Sequence, residues 1–234
     1  RRLRPATLTH PKALVPLCGV PLLDLVDSQL AGLPLAGVGV NCWHHAEAVA
    51  AAVRRLNRTH GWDLRTSHES RLLDTGGGVR FGLRHLPPAD HVLIHNVDVV
   101  LDFDLTQLLA AHRERHAAAT LLLVPNRGPC TVTVAADGRI TALRRPRGEG
   151  THTFSGVQIV RRDVLDLLPD TEVCSIIAAY EAALTAGLPV LGLELPSAAY
   201  WSDLGTAPDY VHAHGDIADR VIRHHPRLCA AQAE

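Results

Sequence analysis

Lys12 is the single lysine in a chain that carries 22 arginines. It lies in Pro11-Lys12-Ala13-Leu14-Val15-Pro16, just after Arg2-Leu3-Arg4-Pro5-Ala6-Thr7. A basic, proline-punctuated loop ahead of the first helix suits a triphosphate. Arg forks onto phosphate oxygens, and Lys offers a compact point charge. Arg1 and Arg4, taken singly, read as a solvated basic terminus. Lys12 reads differently, because this chain uses Arg almost everywhere else a cation is wanted. Asp74-Thr75-Gly76-Gly77-Gly78 puts three glycines at a helix start, where bare backbone can approach a flat ligand or a phosphate. The alternative is a flexible turn into the helix. Asp98, in His95-Asn96-Val97-Asp98, follows an apolar strand. Ligands of open α/β sheets gather off the carboxyl ends of strands, and a carboxylate there can hold a hard divalent cation or merely cap the strand. Asp203, in Trp201-Ser202-Asp203-Leu204-Gly205-Thr206, precedes a Gly-Thr turn and could be a helix-start cap.

The elements that must position these residues follow from periodicity. Helical spacing runs over 22–33, 44–56, 79–86, 104–116, 162–168, 176–186 and 207–224. Short apolar strands are expected at 38–42, 63–68, 91–95, 118–124, 153–160 and 190–195. The runs at 91–95 and 118–124 are mostly apolar, as in a sheet covered on both faces. Strands alternating with helices indicate βαβ units and a parallel sheet in the first half. The rhythm then changes, with segments 130–135 and 139–144 flanking Asp137-Gly138, a hairpin turn pair. The loop 146–150 belongs inside a single domain.

Composition narrows the function. The 234 residues are 47% hydrophobic and 20% charged, with net charge −1. That is ordinary globular composition and gives no broad electrostatic footprint for nucleic acid. No apolar run is long enough to cross a membrane. The five cysteines are scattered and never form a C-x-x-C pair, which argues against a disulfide framework or zinc site and fits a reducing cytoplasm. His44-His45 and His224-His225 are adjacent pairs, not the i, i+4 spacing of helix-borne metal ligands. No activated Ser or Cys arrangement stands out. Methionine is absent altogether, so residues upstream of Arg1 are expected.

Together these motifs resemble the sugar-1-phosphate nucleotidyltransferase family (NDP-sugar pyrophosphorylases). Arg2 to Thr7 is similar to the second half of that family's G-x-G-[ST]-R-L-x-P-[LM]-T. Pro11 to Pro16 resembles its P-K-P-L-V-P. Asp74 to Gly77 resembles its T-G-G segment, Asn96 to Asp98 its strand-end Asp, Phe154-Ser155-Gly156 its F-x-G, and Trp201 to Thr206 its W-x-D-[IL]-G-T-P. The order and spacing of these motifs are more specific than any one of them. The resemblance runs from Arg2 to about Tyr210. It implies an α/β, Rossmann-like nucleotide-diphospho-sugar transferase fold, with a mixed, mostly parallel sheet and helices on both faces. Residues 1–234 would form one nucleotidyltransferase domain whose first strand and glycine loop lie upstream, with roughly 130–200 as its sugar-binding portion.

By the same resemblance, Arg2 and Lys12 are catalytic, and Asp98 and Asp203 hold Mg²⁺. Asp74, Thr75, Gly76, Gly77 and Asn96 meet the nucleotide, while Arg145 and Gly156 meet the sugar. Val97 replaces a usual Gly, and Arg144-Arg145-Pro146 stands where many members have E-K-P. Glu149 reads as a solvated loop charge or a sugar-hydroxyl contact. The implied reaction joins an NTP (UTP or GTP) to a sugar 1-phosphate, with neither nucleic acid nor membrane as partner, and is compatible with a homo-oligomer. The glycine run and the compact length most resemble members acting on hexose or N-acetylmuramic acid phosphates. Two other readings remain: a catalytically silent nucleotide-binding subunit, and a metal-dependent glycosyltransferase using the D-x-D of Asp102-Phe103-Asp104.

Overall fold

A computed structural model describes residues 7, 10–60, 63–219, 222, 225, 227 and 228. Arg2 lies outside them. The central sheet has four strands in the order β11-β7-β10-β5: β11 (Val190–Glu194), β7 (Ala119–Pro125), β10 (His152–Arg161) and β5 (His91–His95). Strand β11 runs parallel to β7, while β10 is antiparallel to both β7 and β5. Three strands therefore share a direction, and the reversed β10 sits among them. The sheet is mixed, as the resemblance implies, yet two of its three pairings are antiparallel, because β10 returns to the sheet after a short hairpin. Strands β3 (Val38–Cys42) and β4 (Leu64–His68) form a separate parallel pair.

The apolar run Leu121–Val124 in β7 has a direct cause. Leu121 and Leu123 belong to one hydrophobic cluster, and Leu122 and Val124 to another. Successive side chains of a strand point to opposite faces, so both faces are covered. On one face lie α5 (Ile177–Thr185), through Ala179, Tyr180 and Ala183, and the 3₁₀ turns Arg162–Leu167, through Val164 and Leu165. On the other lie α4 (Leu105–Glu114), through Leu105 and Leu108, and the end of α1 (Leu22–Leu30). Leu121, Leu122 and Leu123 are fully buried, each contributing roughly 1.5–3 kcal/mol. A third cluster joins Leu22 and Leu25 of α1 to Ala213 and Ile217 of α6 (Ala207–Ala218), together with Ile222 and Leu228.

Two small antiparallel hairpins complete the chain. Strands β1 (Pro16–Leu17) and β2 (Val20–Pro21) turn through Cys18 and Gly19, both at positive φ, the geometry of a tight two-residue hairpin. Strands β8 (Thr133–Val134) and β9 (Ile140–Ala142) flank Asp137-Gly138 as expected. Two local expectations change. The three glycines lie inside α3 (Asp74–Gly82), not in a turn before it, and 162–168 is 3₁₀ for most of its length. Helix α2 (Ala46–His60) runs between β3 and β4. Among the described residues no helix is long and apolar enough to cross a membrane.

Candidate active site

Lys12 is set by local backbone geometry. A 3₁₀ turn, Lys12–Leu14, follows Pro11, whose carbonyl accepts from Leu14 N–H at 2.9 Å, and Val15 N–H donates to the Lys12 carbonyl at 3.2 Å. Val15 is buried and anchors the turn. The Lys12 ammonium is thereby aimed at Asp98, with which it forms an ion pair.

Asp203 reaches the same place by a longer route. Strands β6 (Val99–Leu101) and β12 (Trp201–Asp203) pair antiparallel, with Asp203 opposite Val99. Leu204 N–H donates to the Asp98 carbonyl at 2.8 Å. Two carboxylates 105 residues apart thus end up side by side. Gly205 leaves room for the Asp203 carboxylate, whose Oδ1 lies 3.2 Å from where a Cβ at 205 would stand. Asp203 is not the helix cap. Thr206 is, its hydroxyl accepting from Asp209 N–H at 3.3 Å. Desolvation by the surrounding protein raises the pKa of Asp203, the charge of Asp98 raises it further, and Lys12 opposes both. These causes place all three groups in one electrostatic neighbourhood.

Such a pair suits a hard divalent ion. Mg²⁺ keeps several waters and is commonly bound by one or two carboxylates plus substrate phosphates. Among the described residues no group of three or more His, Cys, Asp or Glu could hold a metal, so the donor set matches an ion shared with a ligand and does not match a closed protein cage. The D-x-D behaves differently. Asp104 caps α4, accepting from Thr106 N–H at 2.9 Å, and Phe103 packs into the core.

The neighbours of Asp98 are held from behind. Asn96 N–H donates to the Gly156 carbonyl at 3.0 Å. Gly156 has φ +93°, and a Cβ there would meet the Asn96 amide at 2.8 Å and Val99 at 2.9 Å. It lies where β10 shifts register between Phe154 and Gln158, so glycine is required at this irregularity. Val97 packs with Cys42 and Val40 in one apolar cluster and borders another, which accounts for a side chain at that position. His95 places Nδ1 2.9 Å from the Asn96 carbonyl, and burial lowers its pKa to about 4.

The glycine run is closed by the protein itself. The Cys174 carbonyl accepts from Gly76 N–H at 2.8 Å and from Gly77 N–H at 3.1 Å, while Thr75 N–H donates to the Asp74 carboxylate at 2.6 Å. The first-turn donors that an open helix N-terminus would offer a phosphate are therefore engaged. Asp74 and Thr75 are exposed, and Gly76, Gly77 and Gly78 are buried. A Cβ on Gly77 would stand 2.2 Å from the Glu172 carbonyl oxygen. Gly77→Ala is expected to destabilise the fold by about 3 kcal/mol, as overpacking against backbone does. Urea unfolding checks this, and an unchanged midpoint would contradict the packing described.

Arg145 lies apart from the carboxylate pair, at a hollow of about 410 Å³ that it lines with Arg144, Thr131, Leu143, Thr153 and Phe154. Its N–H donates to the Thr131 carbonyl at 3.0 Å, and its guanidinium is 4.0 Å from Glu149. Both side chains are exposed, so Glu149 is a loop charge pairing with Arg145. Strand β10 connects the two regions: Phe154 faces the hollow, and Gly156 backs Asn96. Sequence reasoning missed the buried Glu69 and the Cys174 carbonyl. Neither belongs to a recognisable spacing, and both act through contacts made only on folding.

The geometry has a counterpart among known proteins. Residues 1–220 match the model of the nucleotidyl transferase family. The chain belongs to that family. It is 30% identical to a mannose-1-phosphate guanylyltransferase of Mycobacterium tuberculosis, over 100% of this chain and 66% of that protein. It is 26% identical to a UTP–glucose-1-phosphate uridylyltransferase of Synechocystis, over 95% of this chain and 62% of that protein. The chain thus spans less than two thirds of the length of these curated relatives. Among solved structures, HddC from Yersinia pseudotuberculosis superposes with a TM-score of 0.71 at 16% identity, covering 88% of this chain and 90% of that one. HddC complexed with GMP-PN gives 0.70 at 16% identity, covering 92% and 93%. The fold of this nucleotidyl transferase chain is accordingly the Rossmann-like NDP-sugar transferase fold.

Proposed function

We propose that the chain transfers a nucleotidyl group from an NTP to a sugar 1-phosphate, forming an NDP-sugar and pyrophosphate. The observation that carries this reading is the meeting of Asp98, Asp203 and Lys12 at one rim of the sheet. The sugar phosphate oxygen attacks the α-phosphorus in line. One P–O bond forms, and the bond to the pyrophosphate group breaks. The attacking oxygen is already anionic at neutral pH, so no general base is needed. Positioning and charge neutralisation are the main requirements of such transfers. Lys12 turns its ammonium from Asp98 to the transferring phosphate, and Arg2 neutralises the leaving pyrophosphate. Asp98 and Asp203 would hold Mg²⁺, which when bound would supply charge neutralisation for the phosphate oxygens.

The base is received beside the exposed side chains of Asp74 and Thr75, on a floor shaped by Gly76 and Gly77, with Asn96 nearby. The sugar side is the stretch of roughly 130–200, with Arg145 near the sugar phosphate and Gly156 beside the ring. GTP with mannose 1-phosphate is the first pair to test and UTP with glucose 1-phosphate the second, following the names of the relatives. The reaction belongs in the cytoplasm, where nucleoside triphosphates are made. Pyrophosphate release is measured with the four common NTPs against a panel of sugar 1-phosphates. One pair giving turnover without any acceptor sugar is the expected result. Nucleotide binding without pyrophosphate release from any pair would overturn the assignment, as would transfer of a sugar from an NDP-sugar to an acceptor.

A further inference from the structure

The hairpin after Lys12 is gripped by the helix after Asp203. Strands β1 and β2 pair Leu17 with Val20, and Leu22 N–H donates to the Val15 carbonyl at 3.1 Å. Hydrogen-bonded pairs alternate along an antiparallel ladder, so the intervening Pro16 carbonyl turns away from β2. The Tyr210 hydroxyl of α6 donates to it. Burial raises the pKa of this phenol and Cys18 raises it further, so it keeps the proton that it donates. One helical turn on, His214 completes the grip. Cys18 N–H, at the hairpin tip, donates to His214 Nε2 at 3.3 Å, and His214 Nδ1 lies 3.0 Å from the Tyr210 carbonyl. A backbone amide only donates, so Nε2 accepts and Nδ1 carries the proton. The Tyr210 and His214 rings meet edge-on, with centroids 4.5 Å apart.

These contacts close a ring through the candidate site. Lys12 pairs with Asp98, whose carbonyl accepts from Leu204 N–H. Leu204 follows Asp203, and the carbonyl of Thr206, the cap of α6, accepts from Tyr210 N–H at 3.0 Å. Tyr210 then returns to Pro16, four residues beyond Lys12. Val15 and Leu17 are buried beneath the hairpin and set its depth, while the directional bonds from α6 set its rotation.

We propose that Tyr210 and His214 are positioning residues for Lys12: by clasping the hairpin to α6 they keep the lysine turn in register with the Asp98–Asp203 pair. This rests on the reading of Lys12 as the cation at the transferring phosphate. Neither residue lies in the segments that receive the base or the sugar, so the effect falls on the transfer step and not on the affinity for either substrate.

Because Lys12 is the single lysine, its position can be read directly. In a chain isotope-labelled in lysine alone, one Cε signal in the NMR spectrum reports Lys12. Asp98→Asn marks where that signal goes when the ion pair is lost. Tyr210→Phe removes the hydroxyl and keeps the ring. His214→Leu removes the acceptor for Cys18 N–H, whereas His214→Gln supplies one through its Oε1. The signal is expected to move towards the Asp98→Asn position in Tyr210→Phe and His214→Leu, and to stay with the wild type in His214→Gln. Pyrophosphate release is then measured with the NTP and sugar phosphate that turn over. In Tyr210→Phe and His214→Leu kcat should fall about tenfold, as a displaced charge-neutralising group causes. Both KM values should stay within about twofold, and His214→Gln should keep most of the wild-type rate. A lysine signal unmoved in both folded variants overturns the proposal, as does a loss carried by KM with kcat unchanged. So does a His214→Gln chain that behaves like His214→Leu. Should His214→Leu fail to fold, Tyr210→Phe, which retains the packed ring, is read alone by the same criteria. A wild type that binds NTP without turnover defeats the transfer reading alone, because the lysine signal still decides the clasp.

Discussion

Asp203→Asn is expected to lower pyrophosphate release by roughly 10²–10³-fold, the loss typical of removing one electrostatic stabiliser from an active site, and to raise the thermal midpoint of the metal-free protein. The two effects have one cause. Asp203 lies against Asp98, and both that charge and desolvation lift its pKa. A carboxyl whose folded pKa lies above its unfolded value favours folding while protonated and loses that advantage as pH rises through the folded pKa. At neutral pH the ionised Asp203 therefore works against the apo fold, and an uncharged amide relieves it. Added Mg²⁺ should raise the midpoint of the wild type and leave the variant nearly unmoved, since a ligand stabilises the state that binds it. Differential scanning fluorimetry with and without Mg²⁺, beside a pyrophosphate assay, separates the outcomes. Full activity, or a variant less stable than wild type without metal, would contradict the account.

The second large effect is on stability in mild acid. His112 and His225 are each 1% exposed. Burial lowers the pKa of His112 to about 4, and the charges of His91, Arg161 and Arg113 push the same way. Burial likewise lowers that of His225 to about 4, partly offset by Asp102. Both imidazoles are neutral in the folded chain down to that range, whereas in the unfolded chain they protonate near 6.5. Between about 4 and 6.5 the unfolded state binds more protons, so stability falls as pH drops through that window and is fully present above it. Going from pH 7 to 5 should remove about 2 kcal/mol for each of the two histidines. His95, whose Nε2 is buried, adds in the same direction. His112 holds the Thr120 hydroxyl at 2.9 Å on one side and His91 at 2.9 Å on the other. A His112→Gln chain should show a pH slope shallower by about one proton, roughly 1.4 kcal/mol per pH unit. Urea unfolding at pH 7, 6 and 5 reads this directly, and identical slopes for the two proteins would contradict it.

What the sequence disclosed followed from how local each feature is. The mostly apolar run at 118–124 announced a strand covered on both faces, because burial on two sides leaves few polar positions. Asp137-Gly138 announced its hairpin, because that turn needs residues tolerant of positive φ. Lys12, Asp98 and Asp203 were legible as chemistry by type and motif, and the resemblance implied their meeting, but spacing and periodicity did not. The meeting depends on the β6–β12 pairing, a long-range contact between two three-residue strands that leave almost no periodic trace. The three glycines were visible, while the reason for them was hidden: Gly76 and Gly77 admit the 172–175 backbone, and Gly78 admits Asn41 and Glu69. The reversed direction of β10 was equally hidden, since an apolar strand reads the same whichever way it enters a sheet.

The central claim is that one divalent ion and one nucleotide share the Asp98–Asp203 cleft facing Lys12. Electron paramagnetic resonance of Mn²⁺, titrated into the protein with a non-hydrolysable GTP analogue, tests it most directly. One tightly held ion per chain in the wild type, lost in both Asp98→Asn and Asp203→Asn, is the predicted result. An ion bound as tightly in either variant as in the wild type would contradict it.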